Sequence, residues 1–385
     1  MNIVFTGIMG RYPYGGVAWC SLMYLLGLRR LGHDVWYVED TGECNYDPQA
    51  NTLATDPAYA LNMIATTLEP YGFGDRWCYI DYTGGHHGMP EAQWRQTCAD
   101  ADLFLNLSGG SWFWRDEYAA IPHTAFIDSD PAFTQLAIAN GPDWYVEFFR
   151  RFGTRFTFGA NIGTAASSVP VGDMEWHHTW QPVALDEWHA GEPQSGEAQR
   201  LTTIMTWEIE SFQDIGGNKN GEFFAIADLP SRVSVPLELA INAPDPVLAE
   251  LTSKGWCLED AFRVSRNIDV YRDYIHAAAG ELSVAKSTYV GTRSGWFSDR
   301  TECFLASGRP AIVQDTGWSA HLPTGSGLFG FDNVEQAYAA IEQYLADPPR
   351  HQRAAQEVAR AYFADDVVLP ALLERATATA TRGAR

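Results

Sequence analysis

No run in this 385-residue chain approaches the roughly 18–20 consecutive apolar residues that a membrane-spanning helix needs. Cysteine is sparse. The six thiols (Cys20, Cys44, Cys78, Cys98, Cys257, Cys303) are scattered with no Cys-x-x-Cys pair, so neither a disulfide framework nor a thiolate metal cluster is read. They read as reduced, mostly buried thiols, and the expected setting is cytoplasmic. Basic residues are scarce as well, 26 Lys and Arg against 48 Asp and Glu, for a net charge of −22. A field of that sign opposes nucleic acid or an anionic membrane as partner, while leaving room for a local basic pocket. There is no fixed-period repeat, no Walker loop and no Gly-x-Ser-x-Gly elbow. The adjacent pairs His86-His87 and His177-His178 lack Cys or acidic partners at ligand spacing and read as loop and surface residues.

What is present is apolar bulk: 46% hydrophobic and 13% aromatic residues, enough for large cores over a length that predicts two domains. Asn2 to Thr6 reads as a strand rather than a leader, and a loop ending Gly15-Gly16 follows. Apolar residues then recur at helical spacing from Val17 to Arg30, Gly32 ends the run, and His33 to Glu39 is a second strand. Strand, glycine loop, helix and strand in about 40 residues make a βαβ unit and imply a parallel sheet. Further strands are expected at 101–107, 124–127, 155–158, 201–206 and 232–241. Helices are expected at 57–68, from 133, and at 245–252, 268–279, 334–345 and 352–363, with 82–90 a loop. Breaker clusters place a linker at about 163–200. The domains are then 1–195 and 196–365, with a C-terminal helix and tail over 366–385.

Several constellations carry chemistry. Gly15-Gly16 at a helix start offers N–H groups to an anion with no Cβ in the way, although a tight βα turn would use the same residues. Their spacing from Gly7 and Gly10 departs from the dinucleotide fingerprint. Lys219 stands in the glycine-rich loop Gly216-Gly-Asn-Lys-Asn-Gly-Glu-Phe-Phe224 after a strand, as a phosphate cation or a solvated loop lysine. Asp128-Ser-Asp130 follows a strand and has three readings: Asp-Pro turn chemistry, a contact or general base in a cleft, or a divalent-metal pair. Trp112 and Trp114 offer flat faces to a ring-bearing ligand.

The most specific run is Ser294-Gly-Trp-Phe-Ser-Asp-Arg-Thr-Glu-Cys-Phe-Leu-Ala-Ser-Gly-Arg-Pro-Ala-Ile-Val-Gln-Asp-Thr-Gly317: a small-residue loop, a helix from about Asp299 to Ser307, a Gly-Arg-Pro turn, a strand and a polar loop. It resembles the nucleotide-sugar donor loop of bacterial GT-B glycosyltransferases, including spore-coat-maturation types. The resemblance covers the second domain well and the first in outline. It implies an α/β protein of two facing Rossmann-like domains with a cleft between them, in which Lys219 offsets leaving-diphosphate charge with Arg293 or Arg300. Ser298, Asp299, Arg300, Thr301 and Glu302 would face ribose or phosphate, Asp315, Thr316 and Gly317 the sugar, and Gly15 and Gly16 would close over the donor. Asp128 or Asp130 would serve at the reacting centre and Trp112 and Trp114 would line the acceptor side. The register that places an acidic ribose ligand in that family falls here on Cys303, one residue after Glu302, and the family's Glu-x7-Glu pair is absent. The implied reaction is metal-independent transfer of a sugar from a nucleoside diphosphate, UDP foremost, to a small-molecule or glycan hydroxyl, with no cofactor. A nucleotide-sugar epimerase of the same architecture and a non-catalytic carbohydrate- or nucleotide-binding protein are the alternatives.

Overall fold

The structure, a computed structural model, describes residues 1–189, 200–207 and 217–378. The first half builds β1 (Asn2–Thr6), β2 (Asp34–Glu39), a small antiparallel hairpin of β3 (Asn45–Asp47) and β4 (Thr52–Ala54), then β5 (Trp77–Ile80) and β6 (His86–Gly88). β7 (Leu103–Leu107), β8 (His123–Asp128), β9 (Thr154–Thr157) and β10 (His177–His178) follow. Leaving out the hairpin, they form one sheet in the order β10-β9-β8-β7-β1-β2-β5-β6. All its pairings are parallel except β5–β6. The second half gives β11 (Leu201–Thr206), β12 (Leu237–Asn242), β13 (Cys257–Asp260), β14 (Gly280–Ser283), β15 (Ala311–Gln314) and β16 (Leu328–Phe331), wholly parallel in the order β13-β12-β11-β14-β15-β16. Each sheet starts at its centre, runs to one side and returns to the other, which is the doubly wound pattern with a crevice where the order reverses.

The central strands are apolar because helices cover both faces of a parallel sheet. Ile3, Val4 and Phe5 in β1 and Leu103, Phe104 and Leu105 in β7 are fully buried. Three expectations change. Residues 82–90 are not all loop, since β6 pairs antiparallel with β5. Of 232–241, only the end forms a strand, because Pro236 and the turn before it delay β12 to Leu237. Residues 163–189 pack on the first sheet: β10 extends it, and Val169, Met174 and Trp176 enter its core. The rest of the expected linker, 190–199, lies outside the described residues, as do Gly216 of the lysine loop and residues 379–385 of the expected tail.

The two halves share a core. Trp19 from the Gly15–Arg30 helix, Trp188, Ile268, Tyr271, Phe297, Phe304 and Phe363 belong to one buried cluster. The last helix, Asp365–Thr377, returns to the first domain and packs on the Gly15–Arg30 helix.

Candidate functional site

A cavity of about 340 Å³ opens between the domains. Its floor is the carboxyl end of β11 (Ile204, Met205, Thr206) with Asn242 at the end of β12, and Gly217, Asn218 and Lys219 follow on from β11. Phe262, Ser265 and Tyr271 form one wall, Lys286, Asp299 and Arg300 another, and Tyr14, Gly16 and Val17 of the first domain close it. The Gly15–Arg30 helix has no side-chain cap at Tyr14, so its first N–H groups remain available to an anion.

Three cations reach this space. Lys219 precedes the Asn220–Phe224 helix and makes no ion pair with a described carboxylate. Burial, and then the charges of Arg300 and Lys286, push its ammonium down to about 7. Lys286, just past β14, lies 2.9 Å from the Asp130 carboxylate and 4.6 Å from the centre of the Phe133 ring. Arg300 is committed within the second domain. It donates from Nε to Glu281 at 2.7 Å, from Nη1 to the Ile204 carbonyl at 2.7 Å and from Nη2 to Ser283 at 2.8 Å. Glu281 is fully buried, so the primary task of Arg300 is to neutralise it and join β11 to β14. Its reading as a free phosphate cation is corrected accordingly.

The rest of the Ser294–Gly317 run divides. Asp299 lines the cavity, and burial raises its carboxyl above the ordinary range. Ser298 and Thr301 are buried around a pinhole of about 10 Å³ beside Trp296, Gln314 and Trp318, too small for a ribose. Glu302 is 1% exposed, and burial followed by the Asp299 charge drives its carboxyl far up. The Asp315 carboxylate accepts from the Gly317 N–H at 2.8 Å and from the Ser319 hydroxyl at 2.7 Å, closing its own turn. The Thr316 hydroxyl donates to the Trp296 carbonyl at 2.6 Å. The Gly317 and Arg293 carbonyls both accept from the Asn161 amide of the first domain, at 3.3 and 3.0 Å. Arg293, Asp315, Thr316 and Gly317 therefore stand at the domain interface, outside the cavity lining. The glycine pair also divides. A Cβ on Gly15 would lie 2.2 Å from the Asn267 carbonyl oxygen, so its bareness serves the approach of the other domain, whereas Gly16 faces the cavity against the Tyr271 ring.

A second cavity, about 750 Å³, lies beyond the carboxyl ends of the first sheet. It is lined by Arg11, Tyr12, Glu43, Ser108, Trp112, Asp130, Trp144 and Tyr145 among others. Trp112 lines it and stacks on Tyr145, 5.7 Å between ring centres. Trp114 packs on Phe104 and Phe152 in the core, which corrects its reading as an acceptor surface. Asp128 is 1% exposed and accepts from Thr134 at 2.6 Å, Gln135 at 2.8 Å, Thr157 at 2.9 Å and the Asp130 N–H at 3.1 Å. Burial raises its pKa to about 6. With both oxygens occupied by donors it organises the loop after β8, and a role as free base or metal ligand is corrected. Asp130, half of whose side chain is exposed, faces the cavity.

Sequence reasoning missed Tyr14, Asn242, Phe262, Tyr271 and Lys286. None carries a local signal: even Lys286 follows Gly280-Glu-Leu-Ser283, a strand too short and too polar to be read as one from sequence.

No protein-family model matches this chain, and no curated protein matches it either. Solved structures do. An α-glucosyltransferase in complex with UDP and a 13-mer DNA superimposes over 97% of this chain and 99% of its own, with a TM-score of 0.60 at 11% identity. Anabaena Alr3699/HepE in complex with UDP and glucose covers 98% of this chain and 100% of its own, with a TM-score of 0.58 at 13% identity. AviGT4, a glycosyltransferase involved in avilamycin A biosynthesis, covers 97% and 96%, with a TM-score of 0.52 at 15% identity. The chain has their GT-B fold, two Rossmann-like domains facing across a cleft. Among the described residues, no helix is long and apolar enough to cross a membrane.

Proposed function

We propose that this protein is a glycosyltransferase that binds a nucleoside diphosphate sugar, UDP-linked foremost, in the cavity between the domains and transfers the sugar to an acceptor hydroxyl in the first-domain cavity. The observation that carries the proposal is Lys219. In a chain of net charge −22, a lysine without a described ion-pair partner lines a cavity at the carboxyl end of a parallel sheet, facing the start of another domain's helix. At about 340 Å³ the cavity falls in the range of roughly 300–1,000 Å³ of ligand pockets. UDP in the solved structures of two neighbours supports the choice of base.

The chemistry follows from charge. As the glycosidic bond breaks, negative charge grows on the leaving diphosphate, and preplaced cations at Lys219 and Lys286 stabilise it more in the transition state than before. Phe262 and Tyr271 offer apolar faces to the nucleoside, and Asn242 and Asp299 offer polar groups beside them. Domain closure excludes water that would otherwise take the sugar. The −22 charge supports a small-molecule or glycan acceptor over nucleic acid, and no step requires a metal. The reading also keeps a cytoplasmic setting, where such donors and reduced thiols occur together.

Thermal-shift binding with UDP-, GDP-, dTDP- and ADP-sugars, with and without EDTA, tests the proposal against Lys219→Ala. The expected result is a UDP-sugar shift that survives EDTA and is lost in the variant. If no sugar nucleotide binds, the reading falls. An isomerised donor without acceptor would identify an epimerase instead.

A further inference from the structure

One ion pair links the two cavities. Lys286 lines the cavity between the domains and Asp130 lines the first-domain cavity, and the Lys286 Nζ lies 2.9 and 3.3 Å from the two Asp130 carboxylate oxygens. The Tyr289 hydroxyl donates to the same carboxylate. Three residues on, Phe133 is seated in the second domain, edge-on to the Tyr289 ring at 5.6 Å, where a Cβ on Gly217 would meet its ring at 2.3 Å. The Asp130–Phe133 segment is therefore held against the loop that carries Lys219. The pair itself is loosely held, with 20% of the Lys286 side chain and 52% of the Asp130 side chain exposed, a setting in which an ion pair contributes little.

We infer that Asp130 and the donor diphosphate compete for Lys286, so that donor entry frees the Asp130 carboxylate to receive the acceptor. The inference rests on the donor-site reading above. A diphosphate diester brings two negative charges to the Lys286 side of the cavity, where Lys219 already favours an anion, whereas Asp130 offers one charge in a half-exposed position. Once Lys286 turns to the phosphates, Asp130 keeps the Tyr289 hydroxyl among the described residues. Its second oxygen then faces the 750 Å³ cavity as an acceptor for a hydroxyl or ammonium group. The competition makes binding ordered. Without donor, the acceptor cavity presents a carboxylate already occupied by a lysine, and with donor it presents one that is free.

The test is calorimetric titration of UDP into the full-length protein as wild type, Asp130→Asn, Lys286→Met and the double variant, with thermal melts confirming that all four fold. Removing the rival carboxylate should tighten UDP binding roughly two- to fivefold, the range expected for a part-exposed pair. The gain should vanish in the Lys286→Met background, as a general loosening of the interface would not predict. Unchanged or weaker binding by Asp130→Asn would overturn the inference, as would a gain that persists without Lys286. If UDP binds none of the four proteins, the donor-site reading falls and takes this inference with it, a result distinct from binding with no coupling.

Discussion

Lys219 should make donor affinity depend on pH. In the empty cavity its ammonium titrates at about 7, far below the usual lysine value, because burial and the neighbouring Arg300 and Lys286 charges disfavour its proton. A bound diphosphate reverses the local field and restores the proton. The sign follows. Below about pH 7 the lysine is charged in both states and affinity is flat, whereas above it binding must take up a proton and weakens as the pH rises. One unit above the pKa, about a tenth of the free protein is protonated, so from pH 6 to pH 8 the dissociation constant should rise about tenfold, or ~1.4 kcal/mol. Titration of a UDP-sugar is the appropriate assay, because a diphosphate diester does not itself titrate in this range. Repeating it at pH 8 in buffers of different ionisation enthalpy should show nearly one proton taken up. Lys219→Arg, charged throughout, should abolish both the slope and the uptake. A flat wild-type profile, or no proton uptake at pH 8, would refute the reasoning.

Other perturbations separate structural from ligand-facing roles. Arg300→Met leaves the buried Glu281 carboxylate without a cation and should cost about 3–5 kcal/mol in chemical denaturation, before any effect on binding is read. Gly15→Ala drives a Cβ into the Asn267 carbonyl, and overpacking of that kind costs roughly 1–3 kcal/mol, which should appear as a weakened donor titration with the protein's circular dichroism intact. Asp128→Asn turns an acceptor-only group surrounded by donors into one carrying N–H. It should lower stability by about 1–3 kcal/mol in a denaturant melt and loosen Asp130, whose N–H it holds.

The elements legible in the sequence are those whose signal is local. The Asn2–Glu39 unit and the Asp299–Gln314 helix-turn-strand can be read because apolar period, Gly308 and Pro310 all agree within a few residues. β13 and β14 were illegible. Cys257-Leu-Glu-Asp260 is a polar edge strand, and Gly280-Glu-Leu-Ser283 buries a glutamate that makes sense only beside Arg300, 19 positions on. The same distance problem misdirected the site. Gly317 suits a ligand loop as well as a turn, and what decides between them is Asn161, far earlier in the chain. Asp128 and Asp130 look alike in sequence, yet one is enclosed by three side-chain donors and the other faces open space. The place of Lys219 on the cavity lining could be anticipated, because a cation in a glycine-rich loop after a strand needs no distant partner to be noticed.

The return of the chain to the first domain has a mechanical consequence. Where the outgoing and returning segments pass, the Val183 N–H donates to the Phe363 carbonyl at 2.7 Å and the Asp365 N–H to the Val183 carbonyl at 3.1 Å. A single strand between two bodies is a swivel, but two strands stitched side by side behave as a door hinge, resisting twist and leaving one soft axis. Opening and reclosing would then retrace a single path, bringing Gly15 back onto Asn267 and Asn161 back onto Gly317 in register each time. The same strap makes the halves inseparable as fragments. A cut between residues 189 and 200 would strip the first domain of Leu369, which fills the slot above Gly27, and of the Asp365 partner of Arg30, so the amino-terminal piece should recover its fold only when the carboxyl-terminal piece is added back.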